Sequence, residues 1–279
     1  MELTMDKIVA DSIVFGYSRK TVLQGVSLKV GQGEVLSLLG PNGSGKTSLL
    51  KILLGLLRPL SGTVAIDGRP VDSMSPKELA KSVAYVPQLH RIAFSYRVID
   101  VVLMGRLAHS GLFGRTTRED ERIAEAALDR LDISHLADAA YSEISGGERQ
   151  LTLIARALTQ GAKTLILDEP LNGLDYGNQI GVLEQITSLA SEGFTFVKTT
   201  HFPDHALWMA TRVVLLNHGH IIADGKPHEV MNGRTLSSLY LADIALVSVG
   251  DGLRTCLPRT VLDKKPVPGS HAGRSLCAG

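Results

Sequence analysis

Between two apolar runs, Val35 to Leu39 and Leu49 to Leu54, the chain reads Gly40-Pro41-Asn42-Gly43-Ser44-Gly45-Lys46-Thr47. Glycines so placed let backbone N–H groups curl around an anion with no Cβ in the way, and a helix that follows turns its positive dipole end to the same point. The pattern GxxxxGK[ST] after a buried strand and before a helix is a phosphate-binding loop for ATP: Lys46 reaches the β- and γ-phosphates and the Thr47 hydroxyl ligates Mg2+, with Ser48 completing the cradle. Further on, Thr164-Leu165-Ile166-Leu167-Asp168-Glu169 is an apolar strand ending in two carboxylates, where a parallel sheet presents its ligands. Adjacent strand residues point apart, so the acids can divide the work. Asp168 supports magnesium through its water shell, and Glu169 polarises the attacking water.

A second glycine cluster, Ile144-Ser145-Gly146-Gly147-Glu148-Arg149-Gln150, also stands directly before a helix and offers another anion cradle. Ser145 reads equally as an N-cap, with Glu148 three residues on to close a capping box. The two readings are compatible.

The elements that must hold these groups alternate between strand and helix. Ile8 to Tyr17, Val26 to Val30 and Val35 to Leu39 are β-rich runs, and Gly62 to Gly68 is a further short strand ending in a turn. From about Ser75 to Ala140 the apolar spacing turns helical, with Val98, Val101, Val102 and Leu103 on one stretch and Ile123, Ala126, Ala127, Leu128 and Leu131 on another. A helix over Glu148 to Thr159, a strand over Lys163 to Leu167, a helix near Asn178 to Ser191, and strands over Thr195 to Thr199 and Arg212 to Asn217 follow. The expected fold is an α/β P-loop NTPase core with a mostly parallel sheet, an N-terminal antiparallel β region and an inserted helical subdomain at about 88–160. One ATPase domain over 5–240 is expected, then a C-terminal extension over 241–263 and a disordered Pro-, Gly- and Ser-rich tail over 264–279.

Composition removes several alternatives. With 44% hydrophobic and 20% charged residues the 279-residue chain has an ordinary globular balance, and a formal net charge of +1 gives no global pull towards nucleic acid. Cys256 and Cys277 have no CxxC or histidine neighbours, so neither a disulfide scaffold nor a zinc site is expected. No apolar run reaches the roughly 18 to 20 residues of a spanning helix, and the start Met-Glu-Leu-Thr-Met-Asp lacks the pattern of a signal peptide.

Taken together, these motifs resemble the ATP-binding subunits of ATP-binding-cassette (ABC) transporters, over about Ile8 to Gly225 and in that family's order. Gly40 to Thr47 resembles the Walker A motif, Leu165 to Glu169 Walker B, and Ile144 to Gln150 the LSGGQ-type signature, with Ile144 in the usual Leu position and Glu148 in the usual Gln position. The resemblance places Tyr17 on adenine, Gln88 in the Q-loop beside magnesium, Asp175 of Leu174-Asp175 in the D-loop, and His201 as the switch histidine beside Glu169. Leu171-Asn172-Gly173 departs from many relatives. The resemblance also implies a head-to-tail dimer in which Ser145, Gly146 and Gly147 serve the γ-phosphate held by a second copy.

Within that family the chain has no membrane helices of its own, no long coiled coil between Lys46 and Asp168, and one cassette. It therefore resembles a peripheral subunit on the cytoplasmic face of the inner or plasma membrane, docking onto integral membrane permease subunits. Val86-Pro87-Gln88 followed by Phe94-Ser95-Tyr96-Arg97-Val98-Ile99-Asp100-Val101-Val102-Leu103-Met104-Gly105-Arg106 is similar to subunits that power importers of iron-siderophore, haem and cobalamin complexes, which act with a substrate-binding protein. Read without the resemblance, the same stretch is an amphipathic helix on its own core. Importers of molybdate or tungstate, and a cytosolic cassette ATPase assisting cofactor assembly, remain as alternatives.

Overall fold

A computed structural model describes residues 6–18, 20–88, 96–109, 116–250 and 253–263. The tail over 264–279, Cys277, Met5, and Phe94 and Ser95 lie outside the described residues.

The N-terminal strands β1 (Asp6–Tyr17) and β2 (Lys20–Gly31) pair antiparallel, and both alternate buried with exposed positions, as a sheet covered on one face requires. β3 (Val35–Leu39) differs: all five residues are buried, so it sits inside the core. It leads into α1 (Lys46–Leu53), after which β4 (Ser61–Ile66) returns to pair with β1 and β5 (Arg69–Pro70) closes the antiparallel sheet in the order β2-β1-β4-β5. β2 begins earlier than the run from Val26, because Val22 and Leu23 pack inward while the turn residues beside them hide the alternation.

Among the described residues a short strand interrupts the helical spacing that begins at Ser75. α2 (Pro76–Ser82) gives way to β6 (Val83–Val86), a four-residue strand that pairs parallel with a later one, and α3 (Val98–Leu103), a 3₁₀ turn over Met104–Ala108, and α4 (Arg118–Arg130) follow. Short apolar runs of this kind do not declare strand or helix by periodicity. α5 (Gly146–Thr159), β7 (Thr164–Leu167), α6 (Tyr176–Ser191), β8 (Thr195–Thr200), α7 (Pro203–Met209), β9 (Arg212–Asn217) and β10 (His220–Gly225) complete the central part. The second sheet runs β10-β9-β3-β8-β7-β6, parallel throughout except for the β9–β10 hairpin.

Among the described residues the buried apolar side chains form three clusters, the smallest around Leu39, Val213, Leu215 and Met231, and this sheet separates the two larger ones. On one side α1 and the antiparallel sheet enclose Leu36, Leu38, Leu49, Ile166 and Val197; on the other, α3 to α6 enclose Leu165, Leu167, Val101, Ile154 and Phe196. β8 carries both: Val197 and Thr199 face one core, Phe196 and Lys198 the other. Lys198 is fully enclosed, its ammonium 3.4 Å from the His205 carbonyl, and burial pushes its pKa down to about 7.

Beyond β10 the weak signals resolve into α8 (Pro227–Val230), α9 (Gly233–Tyr240), a hairpin of β11 (Ile244–Ser248) and β12 (Arg254–Pro258), and α10 (Arg259–Leu262). The hairpin is tied down: Asp204 on α7 accepts from the Cys256 amide at 2.8 Å and the Thr255 hydroxyl at 3.2 Å.

Candidate functional site

Four strands of the central sheet end at the same edge and hand over the motif residues. β3 opens into the phosphate loop, β7 into Asp168 and Glu169, β8 into His201, and β6 into Gln88. Ligands of open α/β sheets gather at this carboxyl edge.

The phosphate loop is shaped by what glycine permits. Gly43 and Gly45 adopt φ of 81° and 109°, which favour glycine. A Cβ on Gly40 would stand 2.2 Å from the Leu216 carbonyl oxygen, so the loop presses on β9. Gly45 is the N-cap of α1 and offers no side-chain cap, which leaves the first-turn N–H groups to an incoming anion. The Lys46 ammonium donates to the Gly40 and Pro41 carbonyls at 2.6 and 3.0 Å. Burial holds its pKa below the ordinary lysine value, opposed by the nearby Glu169 and Asp168 charges.

A cavity of about 480 Å³ opens over this loop, and Tyr17, Asn42, Lys46, Thr47, Ser48 and Glu169 line it. Tyr17 is half-exposed, packs edge-on against Phe15 at 4.9 Å and lies 3.4 Å from the Ser48 hydroxyl, so its ring is free to face a base. His218, on the β9–β10 turn, also lines the cavity; no motif marks it.

Asp168 is buried, and its Oδ1 accepts from Thr47 Oγ1 at 3.2 Å and from Thr199 Oγ1 at 2.8 Å. Glu169 takes a left-handed backbone, φ 46°, a conformation that non-glycine residues seldom adopt. Its amide donates to Thr199 Oγ1 at 2.7 Å, Asn172 Nδ2 donates to its Oε2 at 3.2 Å, and His201 Nδ1 stands 3.5 Å from its Oε1 without forming a hydrogen bond. Asn172 belongs to the divergent Leu171-Asn172-Gly173 stretch, and Thr199 lies in a strand that reads as core; their contacts become visible only once the strands are in register. Gln88 is exposed, two residues beyond the Val86–Leu167 pairing that sets β6 beside β7.

Ser145, Gly146, Gly147 and Asp175 do not join this cavity. Ser145 caps α5 with a complete capping box: its Oγ accepts from the Glu148 amide at 3.2 Å, and Glu148 Oε2 accepts from the Ser145 amide at 2.7 Å. Those bonds hold the Glu148 carboxyl below the usual carboxylate range. A Cβ on Gly147 would stand 2.3 Å from Asn178 Oδ1, and one on Gly146 3.0 Å from Leu174. Asp175 caps α6 through the Asn178 amide at 2.9 Å, which lowers its pKa.

Fold and site define a P-loop ATPase. Residues 23–172 match the family model for ABC transporters, and the chain belongs to that family as an ATP-binding, ATP-hydrolysing subunit. It is 38% identical over 223 residues to a hemin import ATP-binding protein of Nocardia farcinica, covering 79% of this chain and 76% of that one. It is 36% identical over 232 residues to a molybdate import ATP-binding protein of Haemophilus influenzae, covering 82% and 86%. Among solved structures it is similar to an inward-facing metal-chelate type ABC transporter, with a TM-score of 0.81 and 32% identity over 92% of this chain and 99% of that one. Among the described residues no helix is long and apolar enough to cross a membrane.

Proposed function

We propose that the chain powers import of a metal chelate, of iron-siderophore, haem or cobalamin type, through separate membrane permease subunits supplied by a substrate-binding protein. It would work as a peripheral dimer on the cytoplasmic face of the inner or plasma membrane. The observation that carries this reading is the segment Val98 to Arg106 and what it builds. Gly105 packs so closely on α5 that a Cβ would stand 2.1 Å from the Arg156 carbonyl, and Arg106 is paired with Asp120 at 2.7 Å. Met104 and Leu107, 37% and 70% exposed, are left at the rim of a groove of about 790 Å³ between the end of α1 and the helical region. The packed half serves the chain's own core; the exposed half suits a membrane subunit's cytoplasmic helix.

Catalysis in this reading needs the chain's residues in the following roles. Lys46 and the glycine cradle bind the phosphates, Glu169 takes a proton from the attacking water, and His201 and Gln88 orient water and γ-phosphate. Thr47 and Asp168 supply hard oxygen donors 3.2 Å apart. Thr47 and Asp168 would hold a magnesium ion there, since both offer the hard oxygen donors that cation takes. When bound, that ion neutralises charge developing on the phosphates. Ser145, standing outside the cavity with Gly146 and Gly147, would close it from a second copy, so that ATP holds two chains together until hydrolysis.

Co-purification with a many-helix membrane protein tests the docking claim; a stable complex with cytosolic proteins alone would sink it. Similarity to the molybdate relative keeps one second reading in view. In vesicles holding the intact transporter, a binding protein loaded with iron chelate should raise ATP turnover, whereas stimulation by molybdate alone would transfer the assignment.

A further inference from the structure

The Thr199 hydroxyl touches both acids at once. Its Oγ1–H donates to Asp168 Oδ1 at 2.8 Å, and the same oxygen accepts the Glu169 amide at 2.7 Å. The side chain is fully buried, so these bonds face no competition from water. Its neighbour Thr200 does something local: Thr200 Oγ1 accepts from the Phe202 amide at 3.1 Å, within the turn after β8.

The two acids need this help for different reasons. Asp168 Oδ1 accepts from Thr47 and from Thr199, and among the described residues no hydrogen bond reaches its Oδ2. Once Thr47 turns its hydroxyl to a cation, Thr199 is the hydroxyl left to fix the plane of the carboxylate. Glu169 holds a left-handed backbone that non-glycine residues adopt at a cost of about 1 kcal/mol or more, so something must hold it there. The bond from its own amide to Thr199 does so.

We infer that Thr199 is a positioning residue: one hydroxyl on the strand β8 aims Asp168 at the cation site and fixes the strained backbone from which Glu169 reaches the water. The inference rests on the roles proposed above for Asp168 and Glu169.

Thr199→Val keeps the shape and removes both bonds; Thr199→Ser keeps the hydroxyl. In the full-length chain, Thr199→Val should lower kcat about tenfold or more, the scale set by losing buried hydrogen bonds, with KM for ATP changed less than about twofold. Half-saturating Mg2+ for nucleotide binding should rise several-fold, while metal-free ATP binding stays as in the parent. Thr199→Ser should restore both within about twofold. Should Thr199→Val fail to fold, Thr199→Ala carries the same comparison. Parental kcat and Mg2+ dependence in the variant lacking the hydroxyl would overturn the inference, as would a serine variant as impaired as valine. Glu169→Gln and Asp168→Asn separate the two failures. If they abolish turnover while Thr199→Val does not, only Thr199 loses its role; if they too turn over normally, the proposed site itself is wrong.

Discussion

The chain has two glycine-rich loops directly before helices, and they use glycine for opposite ends. In the phosphate loop Gly43 and Gly45 bend the backbone into the left-handed region, and α1 starts with no side-chain cap. In the signature loop neither Gly146 nor Gly147 has positive φ; both are small because Leu174 and Asn178 lean on them, and Ser145 with Glu148 satisfies the helix start. One loop keeps its N–H groups in reserve for an anion. The other is finished within the chain and offers a surface. Glycine content alone therefore does not tell a cradle for the chain's own nucleotide from a loop that is capped within the chain and turned towards a second copy; the cap does.

The sharpest way to break this comparison is at the cation. Lys46→Ala should weaken ATP binding by about 10²-fold or more, since a buried charge partner of phosphate is lost, and equilibrium binding of a fluorescent ATP analogue measures it. Glu169→Gln should instead lower turnover by about 10²-fold while binding survives, as expected for loss of a general base; normal hydrolysis would remove Glu169 from that role. A smaller, crossed pair follows. Gly45→Ala should weaken nucleotide binding about tenfold, whereas Gly147→Ala should leave binding to one chain intact and lower turnover by a similar factor. Loss of binding in both would erase the distinction between the loops.

Two buried lysines sharpen it further, because acids beside Lys46 oppose its burial while the Lys198 shift comes from burial. The unfolded Lys198 titrates near 10.5 and the folded one at about 7, so the unfolded state holds the extra proton between these values. Stability therefore falls as pH drops from 10.5 to 7 and levels below. Lys198→Met should raise Tm at pH 7 by several degrees, with the gain shrinking towards pH 10. Smallest of all, Ser145→Ala should cost about 1 kcal/mol of helix capping, seen as a Tm lower by about 2 °C.

Much of this was legible beforehand because it is local. Gly40 to Thr47, the strand running into Asp168 and Glu169, and the Ser145 capping box each show their physics within a few consecutive residues. Three things were not. β6 is too short for periodicity to separate it from a helix, so the helical stretch looked continuous. The hairpin β11–β12 gains its hold from Asp204, some 50 positions away in sequence. Thr199 and Asn172 act through strand register, which no run of neighbouring letters records.

Gly105 has a mechanical consequence. The far end of α5 is pinned around it: Thr159 Oγ1 donates to the Val102 carbonyl at 2.9 Å, Arg106 donates to the Thr159 carbonyl at 2.8 Å, and Gln160 holds Ala80 and Val83. The near end of the same helix carries Ser145. At 1.5 Å per residue the 14 residues between make a rod of about 20 Å, and a tilt of roughly 10° at the groove swings its tip by about 3 Å. In the docking proposed above, a push at the groove would gain or lose a hydrogen bond's length of travel at the signature serine, at the opposite end of one stiff beam.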